Sequence, residues 1–174
     1  MRELTIKDYL EYVSKKNYVK IGGQMIQLSP IKIPRLKPTS NELRDTSTTV
    51  WSFPERGGWA THKGDYRGNW PPQIPRTLIS MYTKPYDVVL DPMVGSGTTA
   101  IEALLLNRHC IFLDICFESV ILTLHRIYYL KKYLNPLVWF KAYHGDARNL
   151  DKIEDESIDL IATLPPYFNI IKYS

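Results

Sequence analysis

The sequence predicts an α/β protein built on a doubly wound parallel sheet, and three observations carry that reading. Short, almost wholly apolar runs recur at 87–90, 109–113, 138–143 and 158–163, the pattern of strands buried on both faces. Helical patterns separate the first three runs, as βα alternation requires. The first run leads into the turn Asp91-Pro92-Met93-Val94-Gly95-Ser96-Gly97-Thr98-Thr99-Ala100 and then a helix, which is where an open α/β sheet binds a nucleotide-like ligand.

Taken in order, the elements begin with a short helix at 4–12, where Leu4, Ile6, Tyr9, Leu10 and Tyr12 supply the apolar positions. Residues 18–28 read as a hairpin turning at Gly22-Gly23, since two glycines tolerate the positive φ of a tight turn. Three prolines and many charges make 29–40 an extended linker. The stretch 51–75 is dense in Trp, Gly, Pro and Arg. It reads as an ordered irregular loop, because three exposed tryptophans would be costly. A short helix follows at 76–82, started by Pro75. Then come a strand at 87–90, a helix at 98–106 and a strand at 109–113. A long helix at 117–133 carries Phe117, Val120, Ile121, Leu124, Ile127, Tyr128 and Leu130 on a broad apolar face. Strands at 138–143 and 158–163 complete the pattern. The expected organisation is an irregular N-terminal extension and linker over 1–50, then a core over 51–174 with about four strands.

Composition narrows the class. At 174 residues, 44% hydrophobic and 23% charged, the chain has the makeup of one globular core with an appendage. Its net charge is +4. Residues 1–44 hold nine Lys/Arg against four Asp/Glu, a basic excess that permits nucleic-acid binding without demonstrating it. No apolar run approaches the length of a membrane span. The start, Met-Arg-Glu-Leu with Lys7 and Asp8, lacks the apolar core of a signal peptide. Cys110 and Cys116 lack zinc-ligand spacing. Both are expected to be reduced, with Cys110 in the core of a cytoplasmic protein.

The residues of the turn define its chemistry. Gly95 and Gly97 admit positive φ and leave no Cβ to block a ligand. Thr98 and Thr99 start the helix, where free N–H groups face outward. No Lys precedes the threonine, so a phosphate-cradling P-loop is excluded. Asp91 ends the first strand, near where an amino group of a ligand would sit. Asp114, followed by Ile115, ends the second strand twenty-three residues later. It is placed either to accept from ribose hydroxyls or to cap the helix at 117. Asp146, followed by Ala147, ends the third strand and reads as an acceptor for an adenine amine or as a turn former. Three carboxylates at successive strand ends suit a cationic ligand with ribose and adenine, and suit a pyrophosphate poorly.

On these residues the chain resembles the amino-group DNA methyltransferases, which use S-adenosylmethionine. Asp91 to Ala100 looks like that family's cofactor loop, and Asp114 and Asp146 match its ribose and adenine positions. The segment Asn69-Trp70-Pro71-Pro72-Gln73-Ile74-Pro75 is similar to the motif that closes over the methionine part of the cofactor. Pro165-Pro166-Tyr167 resembles the second half of its catalytic tetrapeptide. The likeness covers residues 51–174, about 70% of the chain. It implies a Rossmann-like methyltransferase sheet and methyl transfer to the exocyclic amine of cytosine (N4) or adenine (N6). It also implies double-stranded DNA as partner, base flipping and a restriction–modification setting. In this resemblance Tyr167 or Phe168 stacks on the flipped base, and the Pro165 carbonyl accepts one amine hydrogen.

Two departures qualify the expectation. The family places Asp, Asn or Ser before the two prolines, and this chain has Leu164. Leucine offers no side-chain acceptor, which implies weak or absent transfer with the cofactor pocket retained. The family sheet has seven strands and about four are expected here. The chain is therefore read as a fragment, as half of a split enzyme completed by a second chain, or as a small self-sufficient protein. The alternatives kept open are an RNA guanine-N2 methyltransferase, a non-catalytic cofactor- or DNA-binding subunit, and, more distantly, a nicotinamide dehydrogenase.

Overall fold

The structure is a computed structural model that describes residues 1–43 and 50–166. Seven strands and four α-helices are described: β1 (Arg2–Leu4), α1 (Ile6–Lys15), β2 (Tyr18–Ile21), β3 (Gln24–Gln27), α2 (Gln73–Tyr82), β4 (Val88–Asp91), α3 (Thr98–Leu105), β5 (His109–Asp114), α4 (Phe117–Leu130), β6 (Phe140–His144) and β7 (Leu160–Ile161). Five strands form one sheet in the order β1-β6-β5-β4-β7, and β2 and β3 form a separate hairpin. β4 pairs in parallel with both β5 and β7, and β5 pairs in parallel with β6. Helices α3 and α4 pack on these strands. Cys110, Phe112, Val89 and Ala142 lie at the centre with no exposed surface.

The N-terminal extension is not irregular, and the sheet has five strands rather than about four. β1 adds antiparallel to β6, pairing Arg2 with His144 and Leu4 with Ala142. An open edge on β6 would leave a row of backbone donors and acceptors unpaired, and β1 covers it. Leu4 is buried beneath it. Three residues are too few for a two-residue period to show. α1 then starts at Ile6, where Thr5 and Asp8 form a reciprocal cap: Thr5 N donates to Asp8 Oδ2 at 2.8 Å and Asp8 N donates to Thr5 Oγ1 at 3.4 Å. The hairpin turns at Gly22 and Gly23, with φ of 53° and 79°, the pair of positive angles a two-residue turn needs to match strand twist.

Element boundaries shift in informative ways. α2 begins at Gln73 rather than at Pro75. Pro75 falls in the first turn, where its missing N–H has no intrahelical partner to lose. α4 ends at Leu130 and tightens into a single 3₁₀ turn at Lys131–Tyr133. The fourth sequence run forms only the two-residue strand β7, with Ile161 exposed at the sheet edge. The stretch 51–75 is ordered irregular backbone up to α2, with Trp59 fully buried.

This topology fixes where a ligand goes. Successive strands run outward from β4 to β5 to β6, and the chain then crosses back to place β7 on the other side of β4. The strand order therefore reverses at β4. The loops leaving β4 and β7 emerge side by side, which opens a crevice at the strands' carboxyl ends.

Candidate cofactor site

A cleft of about 850 Å³ occupies that crevice. Its floor is the glycine loop between β4 and α3. Gly95 and Gly97 have φ of 53° and 85°, angles that cost a side-chain-bearing residue strain. Space is equally restrictive. A Cβ on Gly95 would sit 3.1 Å from the Tyr66 ring, and one on Gly97 would sit 2.8 Å from Thr123 Cγ2. The loop is held by Val94 N donating to Leu113 O at 2.9 Å and by Gly95 N donating to Asp114 Oδ2 at 2.9 Å. Pro92, Met93, Gly95, Ser96 and Thr98 line the cleft, whereas Gly97 and Thr99 stand behind it as loop-shaping residues. Thr98 Oγ1 is buried without a partner, leaving a hydroxyl on the cleft wall for a ligand to satisfy.

The three strand-end carboxylates all reach the cleft, each in a different state. Asp91 is 2% exposed. Burial pushes its carboxyl up to about 6. The hydroxyls of Thr99 and Thr163 and the Met93 N–H oppose that rise, and the charge of Asp114 adds to it. Met93 N donates to Asp91 Oδ1 at 3.2 Å, while the two hydroxyls face the carboxylate without reaching full hydrogen-bond geometry. Asp114 is also raised by burial, held back by N–H donors from Cys116 and Gly95. It does not cap α4 by position, since Cys116 is the cap residue. Instead its two oxygens tie the glycine loop (Gly95 N, 2.9 Å) to the turn before α4 (Cys116 N, 2.9 Å), and the residue lines the cleft.

Asp146 is the most committed of the three. The exposed Arg148 guanidinium holds its carboxyl down to about 2, through Nε contacts of 3.0 Å to both oxygens. Arg148 N also donates to Oδ1 at 2.9 Å. The turn-forming role is therefore present, and an adenine amine would share this carboxylate with Arg148. Ile115 and Ala147 flank the acids on the cleft wall, with Ile115 67% exposed, an apolar plate suited to a purine face.

Leu164 and Pro166, following β7, line the same cleft as the glycine loop. Pro165 is exposed beside them. Tyr167 and Phe168 lie outside the described residues. The turn of the β2–β3 hairpin, Lys20 to Gly23, forms a further wall that sequence reasoning did not connect with the site. Its glycine pair announced a turn but not its neighbours in space. Trp70 and Asn69 close another side.

The residues present fit S-adenosylmethionine. A glycine cradle that any Cβ would fill, an unpartnered buried hydroxyl and three carboxylates around one cleft match a cationic adenosyl ligand with an amino-acid tail. Among the described residues no cluster of His, Cys, Asp or Glu could hold a metal ion, and no helix is long and apolar enough to cross a membrane.

Comparison with known proteins agrees with this chemistry. The Type II methyltransferase M2.MboI of Moraxella bovis is 34% identical over 65 residues, 37% of this chain and 24% of that protein. The Type II methyltransferase M.HindIII of Haemophilus influenzae is 45% identical over 49 residues, 28% of this chain and 16% of that protein. The tRNA (guanine(10)-N2)-dimethyltransferase of Methanothermobacter thermautotrophicus is 31% identical over 103 residues, 59% of this chain and 29% of that protein. The chain thus spans less than a third of the length of these curated relatives. A family model described as DNA methylase matches residues 5–122, from the start of α1 through the glycine loop and into α4. The chain belongs to the DNA methylase family.

Proposed function

We propose that this chain is the S-adenosylmethionine-binding portion of a DNA methyltransferase that acts on the exocyclic amine of cytosine or adenine. The observation that carries the reading is the meeting of two loops on one cleft: the glycine loop after β4 and the loop after β7, through Leu164 and Pro166. When bound, S-adenosylmethionine supplies an electrophilic methyl group on a sulfonium centre. The protein's part is to hold the target nitrogen in line with it. A base amine is a poor nucleophile because its lone pair is delocalised into the ring, so positioning contributes much of the rate. In this reading, as the family resemblance implies, the Pro165 carbonyl accepts one amine hydrogen. Because a duplex base cannot reach the cleft, double-stranded DNA is the proposed partner with its target base flipped out.

Leu164 limits the chemistry. An unpaired amine hydrogen in a dry site costs about 1–3 kcal/mol, roughly fivefold to over a hundredfold in rate. The test is methyl transfer from labelled cofactor to duplex DNA by the leucine protein and by Leu164→Asp and Leu164→Ser. The polar variants are expected to exceed the leucine form by at least about fivefold. Equal turnover by all three would remove the role assigned to position 164. A second reading, transfer to guanine N2 in RNA, is favoured by the 103-residue likeness to a tRNA dimethyltransferase. The same assay with tRNA as acceptor separates the two.

A further inference from the structure

Helix α4 carries a charge on its buried face. Arg126 is 1% exposed, one turn beyond Leu122 and beside Ile127, both buried. Its Nη1 donates to the Ser96 carbonyl at 2.8 Å, and its Nη2 pairs with the Asp65 carboxylate. The Asp65 carbonyl in turn accepts Gln24 Nε2 from the β2–β3 hairpin at 2.8 Å. Asn69 Nδ2 donates to Ser96 Oγ at 3.1 Å, and Thr123, one turn before Arg126, donates to Gly95 O at 3.2 Å. The guanidinium thereby joins the glycine loop to the 65–70 segment, and the Asp65 backbone holds the hairpin in turn, so three walls of the cleft far apart in sequence are linked through one buried pair.

We propose that Arg126 is a positioning residue for the cleft, a buried clamp that sets the spacing of its three walls before any ligand arrives. A guanidinium taken out of water is offset only by well-placed partners. Its planar fork serves two acceptors at a fixed angle, which the point charge of a lysine does not reproduce. Arg126 Nε is buried without a partner, so the group is placed for the two walls and not for its own burial. The walls consequently move as one unit, and the shape of the ligand site depends on a residue that lines none of it. The clamp's effect on cofactor affinity rests on the S-adenosylmethionine reading above, whereas its effect on the walls does not.

The test begins without cofactor. Amide hydrogen exchange is compared between the wild type, Arg126→Gln and Arg126→Lys. In Arg126→Gln, exchange at 21–24, 63–69 and 95–98 is expected to quicken together by at least about tenfold, the scale of one lost charge-assisted bond. The interior of β5 and β6 keeps its protection. Arg126→Lys should show a partial effect. Unchanged exchange in the three segments, or an equal rise across the whole sheet, would overturn the proposal. Should Arg126→Gln fail to fold, Asp65→Asn and Gln24→Ala decide. The first is expected to loosen the 63–69 segment and the hairpin, the second the hairpin only, and no change in either would overturn the clamp. Calorimetric titration with S-adenosylmethionine then reads affinity, expected to be about tenfold weaker in Arg126→Gln. A wild type that does not bind removes the cofactor reading and leaves the exchange result standing. A wild type that binds no better than Arg126→Gln removes the positioning role.

Discussion

Asp91 concentrates the chemistry of this molecule in one side chain. It is buried, its carboxyl is pushed up to about 6, and it faces the cleft. A cationic ligand beside it favours the ionised form, so binding expels a proton below that pH. Affinity for S-adenosylmethionine is expected to rise between pH 5 and pH 7 and to level off above, approaching a tenfold change per pH unit on the acid side. Asp91→Asn should flatten the profile in the same calorimetric titration. Stability follows the opposite sign. The folded carboxyl binds its proton more tightly than the unfolded one, so stability falls as pH rises from 3.8 to about 6. Asp91→Asn should therefore raise the unfolding free energy at pH 7 by about 1–3 kcal/mol in urea denaturation while weakening ligand binding. Gly97 is constrained by conformation. At φ 85° with Thr123 Cγ2 2.8 Å from where its Cβ would stand, Gly97→Ala should lower stability by about 1–3 kcal/mol in the same denaturation. These residues were legible because glycines and acids at strand ends interrupt apolar runs. Arg126 and Glu102 also interrupt apolar runs, inside helices. Glu102 is fully buried in α3, accepting from Trp59 Nε1 at 2.7 Å and Arg76 Nη1 at 2.8 Å and pairing with His62 Nε2 at 2.6 Å. A charge in the middle of an apolar helix was the available signal, but its partners lie 26 to 43 residues away in sequence, and spacing alone does not name them.

At the scale of elements, α4 does more than cover the sheet. Its buried face supplies Thr123 and Arg126 to the glycine loop. It also carries His125, whose Nδ1 meets the Tyr9 hydroxyl of α1 at 3.0 Å. Burial holds the His125 ring down to about 4 from an ordinary 6.5, with the charges of Arg126 and Lys63 adding to the effect. The unfolded ring takes up a proton first, so this contribution is intact above pH 6.5 and is lost as pH falls from 6.5 toward 4. Urea midpoints should fall across that window, and the fall should be shallower in His125→Gln. The Asp91 term runs the other way over an overlapping range, so the effect is clearest as the difference between the two proteins. The strands of the parallel core were visible in sequence as apolar runs, and their ends moved by at most two residues. β1 was not visible, because an edge strand of three residues takes its identity from the β6 edge it covers. In the segment before α2, Arg56 and His62 are folded inward, with Arg56 Nη1 donating to Trp70 O at 2.7 Å and His62 Nε2 meeting Glu102 Oε1 at 2.6 Å.

For the molecule as a whole, the sheet order explains why the loops after β4 and β7 meet on one cleft. β7 returns to the side of β4 opposite β5, which sets a proline loop beside a glycine loop although about seventy residues separate them. The family match ends at residue 122, before the proline loop begins, so membership speaks for the cofactor half of the cleft and the geometry alone speaks for the rest. The basic N-terminal part is folded onto the core through β1, α1 and the hairpin. Its excess charge therefore sits on the same body as the cleft, with Lys20 at the rim. The central claim is that this cleft is an S-adenosylmethionine site whatever the fate of catalysis at Leu164. Isothermal titration calorimetry of the wild type and of Asp114→Ala, with S-adenosylmethionine and with NAD, tests it most directly. The account predicts saturable one-site binding of S-adenosylmethionine, weakened at least about tenfold by Asp114→Ala, and no comparable binding of NAD. Absence of S-adenosylmethionine binding, or an affinity untouched by Asp114→Ala, would contradict it.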